Sequence, residues 1–238
     1  MPIKTVTNLR TGLKVGTGVL RAMGEGKHSL LLQRVSNKDF QGHFPLRDLE
    51  FFLLPGEDDK ESEIRPEFHS LLSGTSDRNG AEVTVRYKAQ AVDVAMIMDG
   101  SNLKAFTDWH IWTEESFQAQ LQWDATDPMF LLLCKVVRLD PPLKIAWKDA
   151  YDGKDPWVLL DEEELAPLAF AAVLEHVDHL RIVVDVKKAL AEVQKNPVQR
   201  PEAEKPAAAA KPSPPPPPKP APPAPPKADG ASKDAPAG

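Results

Sequence analysis

Two histidines three residues apart, His176 and His179, have the residue type and spacing that best suit metal binding in this chain. On a helix this spacing puts both imidazoles on neighbouring positions of one face, where they can share a metal ion. A site needs at least one further ligand, and neither an HExxH nor a Cys-x-x-Cys pattern is present to supply it. We therefore expect no metal and no other cofactor, and we keep the pair as a weak metal candidate.

A second group of polar residues could support general acid–base catalysis: His110 with Asp108, Glu114 and Glu115. Nothing in the sequence brings these side chains together, so a polar strand end is the alternative interpretation. The motifs GxGxxG, GxxxxGK[ST] and GxSxG are absent. The sequence therefore favours a non-enzymatic protein. An enzyme of unrecognised type is the third choice, after the protein-binding and ligand-binding functions described below.

One glycine pair begins like a phosphate-binding loop. Gly16 and Gly18 are spaced as in such loops, but the later glycine and the lysine are missing. We expect the pair to form a bend within a strand.

Tryptophans are concentrated in residues 109–157, where they alternate with aspartates. Aromatic faces of this kind stack on sugar rings or form hot spots for protein partners. This pattern is the basis of the alternative function, a small-ligand or carbohydrate-binding protein, although bulky aromatics also simply fill β-domain cores. The five residues are Trp109, Trp112, Trp123, Trp147 and Trp157.

The end of the chain carries the most specific binding pattern. Fifteen of the 24 prolines fall in residues 196–238, and two copies of Pro-x-x-Pro-x-Lys lie eight residues apart. Such a segment is predicted to be disordered and to sample polyproline II. It is interpreted first as a semi-stiff spacer, and the alternative is that its prolines pack on aromatic grooves of a partner while a lysine meets an acidic rim. The predicted partner-binding residues are Pro214, Pro217, Lys219, Pro222, Pro225 and Lys227.

The charge of the chain is unevenly distributed. The formal net charge is -6, and residues 196–238 hold six basic and four acidic residues, which leaves the rest at -8. A domain this acidic repels phosphate backbones, so nucleic acid is an unlikely partner, whereas a protein partner is expected and homo-oligomerisation is left open. The start has no export signal, no run is long enough to span a membrane, and the single Cys134 lies in an apolar run. We therefore expect a cytoplasmic protein with Cys134 in its core.

Short apolar segments of strand character fill the first part of the chain. The turn at Asn79-Gly80 predicts a type I′ hairpin, because both residues tolerate positive φ, and the alternation after it indicates a half-buried strand. The stiff pair Pro141-Pro142 predicts a break between two strands. The predicted strands are Ile3–Thr7, Leu13–Leu20, Ser29–Gln33, Leu49–Leu54, Ala81–Met98, Leu103–Trp112, Met129–Leu139 and Leu143–Trp147.

Helical signals gather at the end of the domain. Apolar residues spaced three and four apart predict a helix from about Pro167 to His179 that continues to Lys195, with Leu180–Val184 as a final strand in the alternative. The predicted fold class is α+β: a mainly antiparallel β domain with a C-terminal helix, followed by a disordered proline-rich tail. We assign residues 1–160 to the β-rich domain, 161–195 to its C-terminal helical segment and 196–238 to the tail. The function predicted from this organisation is protein binding or assembly with a flexible tether.

Overall fold

The computed structural model of the protein describes residues 10–34, 49–73, 77–97, 103–121, 129–161 and 169–195. All of them fall in the first of two units, Met1–Val198 and Gln199–Gly238. The strands are β1 (Thr11–Val15), β2 (Leu30–Arg34), β3 (Glu50–Pro55), β4 (Arg78–Asn79), β5 (Glu82–Ile97), β6 (Met129–Ala146), β7 (Trp157–Leu159) and β8 (Ala169–Ala172). The α-helices are α1 (Thr17–Gly24), α2 (Glu114–Leu121) and α3 (His176–Lys195), and 3-10 helices form at Glu61–Glu63, Pro66–Leu71, Leu103–Trp109 and Asp149–Tyr151.

The strands form one eight-stranded sheet in the order β2-β6-β5-β3-β1-β7, with β4 added beside β5 and β8 beside β6. Every pair is antiparallel except β1 with β3, which run parallel from Gly12 opposite Phe52 to Val15 opposite Pro55. The prediction of an α+β fold, mainly antiparallel with a C-terminal helix, is therefore confirmed.

Apolar side chains cover both faces of this sheet. Strand β3 shows the arrangement most clearly, because Phe51 and Leu53 join one core while Phe52 and Leu54 join another. Successive residues of a strand point to opposite faces, so a strand buried on both sides reads as a continuous apolar run. The larger core includes α1 and α3 residues, and the smaller one contains Trp147 and Tyr151.

Several strands lie where the sequence predicted them, namely β2, β3 and β5. The hairpin between β4 and β5 also forms, but Asn79 pairs with Glu82, so the two loop residues are Gly80 and Ala81. The turn is therefore displaced by one residue from the predicted centre, and Gly80 takes the positive φ of 61°. Cys134 is buried, as expected.

The predicted break at Pro141-Pro142 is wrong, because β6 runs through these residues from Met129 to Ala146. Beside them the pairing with β5 shifts, from Tyr87 opposite Arg138 to Val85 opposite Leu143. Such a bulge takes up extra residues without ending the strand, and prolines are tolerated where a ladder hydrogen bond is already missing.

Two predicted strands are helical over most of their length. The segment Leu13–Leu20 leaves β1 at Val15 and enters α1 at Thr17, so the bend expected at Gly16 and Gly18 is the start of a helix. The alternation in Leu103–Trp112 belongs to a 3-10 helix that ends at Trp109. At the start of α1 a contact from a distant residue decides the outcome, as described below.

The C-terminal part also differs from the prediction. The helix expected from Pro167 begins only at His176, because Ala169–Ala172 pairs with β6 as β8. The alternative of a strand at Leu180–Val184 is wrong, since these residues lie within α3. No described helix combines the length and the apolar character needed to cross a membrane. The strand predicted at Ile3–Thr7 and the tail, including its predicted disorder, lie outside the described residues.

Candidate functional site

A cavity of about 680 Å³ opens at the C-terminal ends of strands β1 and β3, and we call it the polar cleft. Strands β1 and β3 are parallel, so the chain leaves both at this end of the sheet, at Val15 and Pro55. Strand β7 is antiparallel to β1, so the segment that enters it, residues 149–156, arrives at the same end. The residues that line the cleft include Lys14, Glu57, Asp58, Asp59, Arg78, Trp147, Asp152 and Lys154.

One wall of the polar cleft holds the ammonium group of Lys14. Its Nζ donates hydrogen bonds of 2.6 Å to the main-chain carbonyls of Tyr151 and Gly153. Carbonyl oxygens fix the position of the ammonium group, and its charge also helps to lower the pKa of the nearby Asp152 carboxylate. The fold therefore places a positioned cation at the cleft wall.

Asp152 joins two further residues on the same wall. Its Oδ1 accepts a hydrogen bond of 2.8 Å from Trp147 Nε1 and forms an ion pair of 3.1 Å with Arg78. The Arg78 guanidinium lies 4.5 Å from the centre of the Trp147 ring. The Trp147 N–H and the Arg78 guanidinium lower the pKa of Asp152, because both stabilise the carboxylate. Asp152 therefore stays ionised and bound to Trp147 and Arg78.

The opposite wall docks two carboxylates on the start of α1. Asp59 Oδ2 accepts hydrogen bonds from the main-chain N–H groups of Gly18 and Val19, at 2.7 and 3.1 Å. Asp58 Oδ1 accepts a hydrogen bond of 2.8 Å from the Thr17 hydroxyl. Burial raises the pKa of Asp59, although the two N–H groups oppose the shift. The anion position that Gly16 and Gly18 suggested is therefore filled by a carboxylate of the chain itself.

A second exposed feature lies on α3. Val177, Leu180 and Val184 are 68%, 47% and 50% exposed, although all three are apolar. Their spacing of three and four places them on one side of the helix, and we call this the outer α3 face. Val186 and Leu190 lie on the other side and are buried in the core. The helix is thus apolar on both sides along this stretch.

A third feature is a buried histidine cluster. His28 Nδ1 accepts a hydrogen bond from the Ile111 N–H, and its Nε2 contacts the Leu30 carbonyl. His110 lies 4.2 Å from the Phe117 ring centre, and neither of its nitrogens makes a hydrogen bond of normal geometry. Burial lowers the pKa of His28 to about 3 and that of His110 to about 4. Both imidazoles are therefore neutral at physiological pH.

The acid–base group predicted around His110 does not assemble in the described structure. Asp108 is exposed, and Glu114 pairs with Lys104 at 3.2 Å, whereas His110 is buried. Burial raises the pKa of Cys134 to about 12, so its thiol is not activated as a nucleophile.

The tryptophans and histidines of the predicted sites differ in how deeply they are buried. Trp112 and Trp147 are buried and Trp109 and Trp157 half-buried, while Trp123 lies outside the described residues. An aromatic binding surface therefore stays a prediction. In the described part of the chain no group of three or more potential metal ligands is found, and His179 is buried while His176 is exposed. The six predicted tail residues, Pro214, Pro217, Lys219, Pro222, Pro225 and Lys227, lie outside the described residues.

Lys14, Arg78 and Asp152 did not stand out from the sequence. Lys14 alternates with apolar neighbours as any strand residue does, and Arg78 and Asp152 are separated by 74 positions. Gly16 and Trp147 are the cleft residues that belong to patterns in the sequence, and neither pattern indicates a cleft with charges of both signs.

Comparison with known proteins gives one family and a few remote structures. A family profile described as "Domain of unknown function (DUF1802)" matches residues 12–183. No curated protein matches the chain. A crystal structure of the ASCH protein from Zymomonas mobilis is 11% identical in sequence, and the match covers 65% of this chain and 89% of that chain with a TM-score of 0.37. A serine-to-alanine variant of the same protein is 12% identical, and the match covers 78% of this chain and 99% of that chain with a TM-score of 0.35. Similarity this low carries no argument about binding or activity.

Proposed function

This chain belongs to the DUF1802 family, a domain of unknown function, and on that premise we propose that it is a non-enzymatic protein-binding and assembly protein. The outer α3 face would bind a second copy of the chain, and the proline-rich tails would recruit a further protein. The observation that carries the proposal is the exposure of Val177, Leu180 and Val184. Single exposed apolar residues are normal on a protein surface, but a contiguous row on one helix is typical of an interaction site.

Charges beside the apolar row favour a second copy as the occupant. Asp178, Arg181, Asp185 and Lys188 follow Val177, Leu180 and Val184 along the same side of the helix, and their signs alternate. When two α3 helices pack antiparallel about residue 183, Asp178 faces Lys188 of the other copy and Arg181 faces Asp185. Both ion pairs share this one centre, so the row is complementary to itself, as a two-fold interface requires.

The apolar residues lie beside the same centre, although they do not face each other in pairs. Leu180 lies three positions before residue 183 and Val184 one position after it, so in both copies these side chains lie within one helical turn of the two-fold axis. Three apolar side chains per copy form a small contact, well below the roughly 800 Å² per partner of a standard interface. We therefore expect a weak dimer that forms in a concentration-dependent way.

Dimerisation would give the predicted tail two copies of its binding motif. Each chain has two Pro-x-x-Pro-x-Lys segments in the residues that follow α3. A dimer therefore carries four such segments. Linked sites bind a multivalent partner more tightly than either site alone, without any new contact. We place this assembly in the cytoplasm, where a buried free thiol such as Cys134 is expected to stay reduced.

Sedimentation velocity of the full chain tests the dimer over about 1 to 100 µM. We expect the wild-type sedimentation coefficient to rise with concentration. Leu180→Glu should abolish the rise, because it buries a carboxylate in the apolar contact. Arg181→Asp should do the same by placing like charges opposite each other, and the double variant Arg181→Asp, Asp185→Arg should restore the dimer.

The restoration in the double variant is the sharpest part of this test, because a merely misfolded protein would not regain association. Lys144→Met provides a control charge change on β6, where Lys144 pairs with Glu82 of β5 at 2.9 Å. A wild-type chain that stays monomeric throughout, or a dimer that ignores Leu180→Glu, would refute the outer α3 face as the interface.

A further inference from the structure

The polar cleft has opposite charges on its two walls. Lys14, Arg78 and Lys154 lie on the wall formed by β1, β4 and the segment before β7, with Asp152 as the carboxylate of that segment in the cleft. The facing loop, residues 57–63, contributes Glu57, Asp58, Asp59 and Glu63 against Lys60. The cleft is therefore dipolar, positive on one side and negative on the other.

Many of these charges are already satisfied within the protein. Arg78 is paired with Asp152, Asp59 binds the start of α1, and Lys60 pairs with Glu63 at 3.3 Å. Two remain. Among the described residues, the Glu57 carboxylate and the Lys154 ammonium have no hydrogen-bond or ion-pair partner.

Lys14 adds a positioned donor beside Lys154. Its ammonium carries three N–H groups, and the two carbonyls of Tyr151 and Gly153 use two of them. Since those carbonyls hold the side chain against the wall, binding an anion there needs no ordering of the lysine. Pre-organisation of this kind favours ligand binding, because the entropic cost has been met on folding.

From this arrangement we infer that the polar cleft binds a short zwitterionic peptide, with its carboxylate at Lys14 and Lys154 and its ammonium at Glu57. The volume of about 680 Å³ lies in the range of small-ligand sites, about 300 to 1,000 Å³. A ligand with one charge of each sign is the one that satisfies both walls. A purely anionic or purely cationic ligand of the same size would face a like-charged wall.

Isothermal titration calorimetry of the full chain with trialanine tests this inference. Trialanine has a free ammonium and a free carboxylate, and its N-acetylated and C-amidated forms lack one charge each. We expect trialanine to bind, and each blocked form to bind at least about tenfold more weakly, because each loses a charge-assisted hydrogen bond. Failure of trialanine to bind, or equal binding of either blocked form, would overturn the dipolar assignment.

Variants of the two walls assign the ends of the ligand. Lys14→Met should weaken trialanine but leave the amidated form unchanged, because the amidated form has no carboxylate to lose. Glu57→Gln should weaken trialanine and spare the acetylated form. Lys144→Met, on β6, is the matched control, and thermal unfolding of each variant shows whether it still folds. If Lys14→Met and Glu57→Gln fold and bind trialanine as the wild type does, the cleft is not the site.

This inference is independent of the dimer. The cleft variants leave the outer α3 face intact, and Leu180→Glu leaves the polar cleft intact. Each experiment can therefore fail without the other.

Discussion

The carboxylate of Asp59 accepts a hydrogen bond of 2.7 Å from the main-chain N–H of Gly18, 41 positions earlier in the chain. The first N–H groups of any helix lack partners within the helix, and an acidic group near them also interacts favourably with the helix dipole. Gly16, which precedes α1, makes no side-chain cap of its own. Asp59 therefore caps α1 from a distant loop and ties this loop to the helix.

Removing the carboxylate of Asp59 should weaken the fold. We expect Asp59→Ala to lower the free energy of unfolding by about 0.5 to 2 kcal/mol, the range for the loss of a helix cap. Asp59→Asn should cost less, since its amide oxygen can still accept from the Gly18 N–H. Urea denaturation at neutral pH measures both. Equal losses in the two variants would show that the acceptor oxygen is not what stabilises α1.

The contribution of Asp59 to the stability of the wild-type protein depends on pH in one direction. Burial raises the pKa of Asp59 above its ordinary value of 3.8, so the folded state binds this proton more tightly than the unfolded state. The contribution of Asp59 to stability therefore falls as the pH rises from that ordinary value through the raised one. Asp59→Asn cannot ionise and should lack this component when unfolding is followed from pH 3.5 upward.

A methyl group at Gly16 should destabilise the same contact. A Cβ there would lie 2.0 Å from Asp59 Oδ1, so the carboxylate must move away from the helix. We expect Gly16→Ala to cost about 1 to 3 kcal/mol, as overpacking does. Gly153→Ala is the control, because its nearest neighbour would be the Ala150 carbonyl oxygen at 3.9 Å. Matching denaturation midpoints for the two variants would contradict the close approach of Asp59 to Gly16.

This long-range cap also explains why the sequence did not predict α1. Leu13 to Leu20 reads as a strand with two glycines, and a helix of eight residues has little stability of its own. Its start depends on Asp59, whose position is set by the pairing of β1 with β3. By contrast, β5 was predictable, since its alternation of buried and exposed residues is carried by the strand itself.

The same reasoning separates the predictable and unpredictable parts of the candidate site. The apolar residues of α3 could be identified from their spacing, but which of them would be exposed depends on what the helix packs against. Lys14 and the carbonyl of Gly153 meet only because β7 returns beside β1. No local pattern in either segment encodes that pairing, so the polar cleft could not be inferred before the topology was known.

The buried histidines allow a prediction in which two similar substitutions act in opposite directions. His110→Phe keeps an aromatic ring near Trp112 and Phe117 and removes two buried nitrogens that lack hydrogen bonds of normal geometry. Since an unsatisfied buried polar group costs about 1 to 3 kcal/mol, we expect this variant to be more stable than the wild type at neutral pH. His28→Phe should be less stable, because it loses the hydrogen bond from the Ile111 N–H.

Acid unfolding should also report on the buried imidazole of His110. The pKa of His110 is lowered to about 4 from an ordinary 6.5, so between these values the unfolded state binds more protons, and stability is lost as the pH falls. His110→Phe cannot take up that proton, so its acid midpoint should lie at lower pH than that of the wild type. Circular dichroism between pH 7 and 3 measures the midpoint. If His110→Phe unfolds at the same pH as the wild type, the imidazole of His110 is not held neutral by the fold.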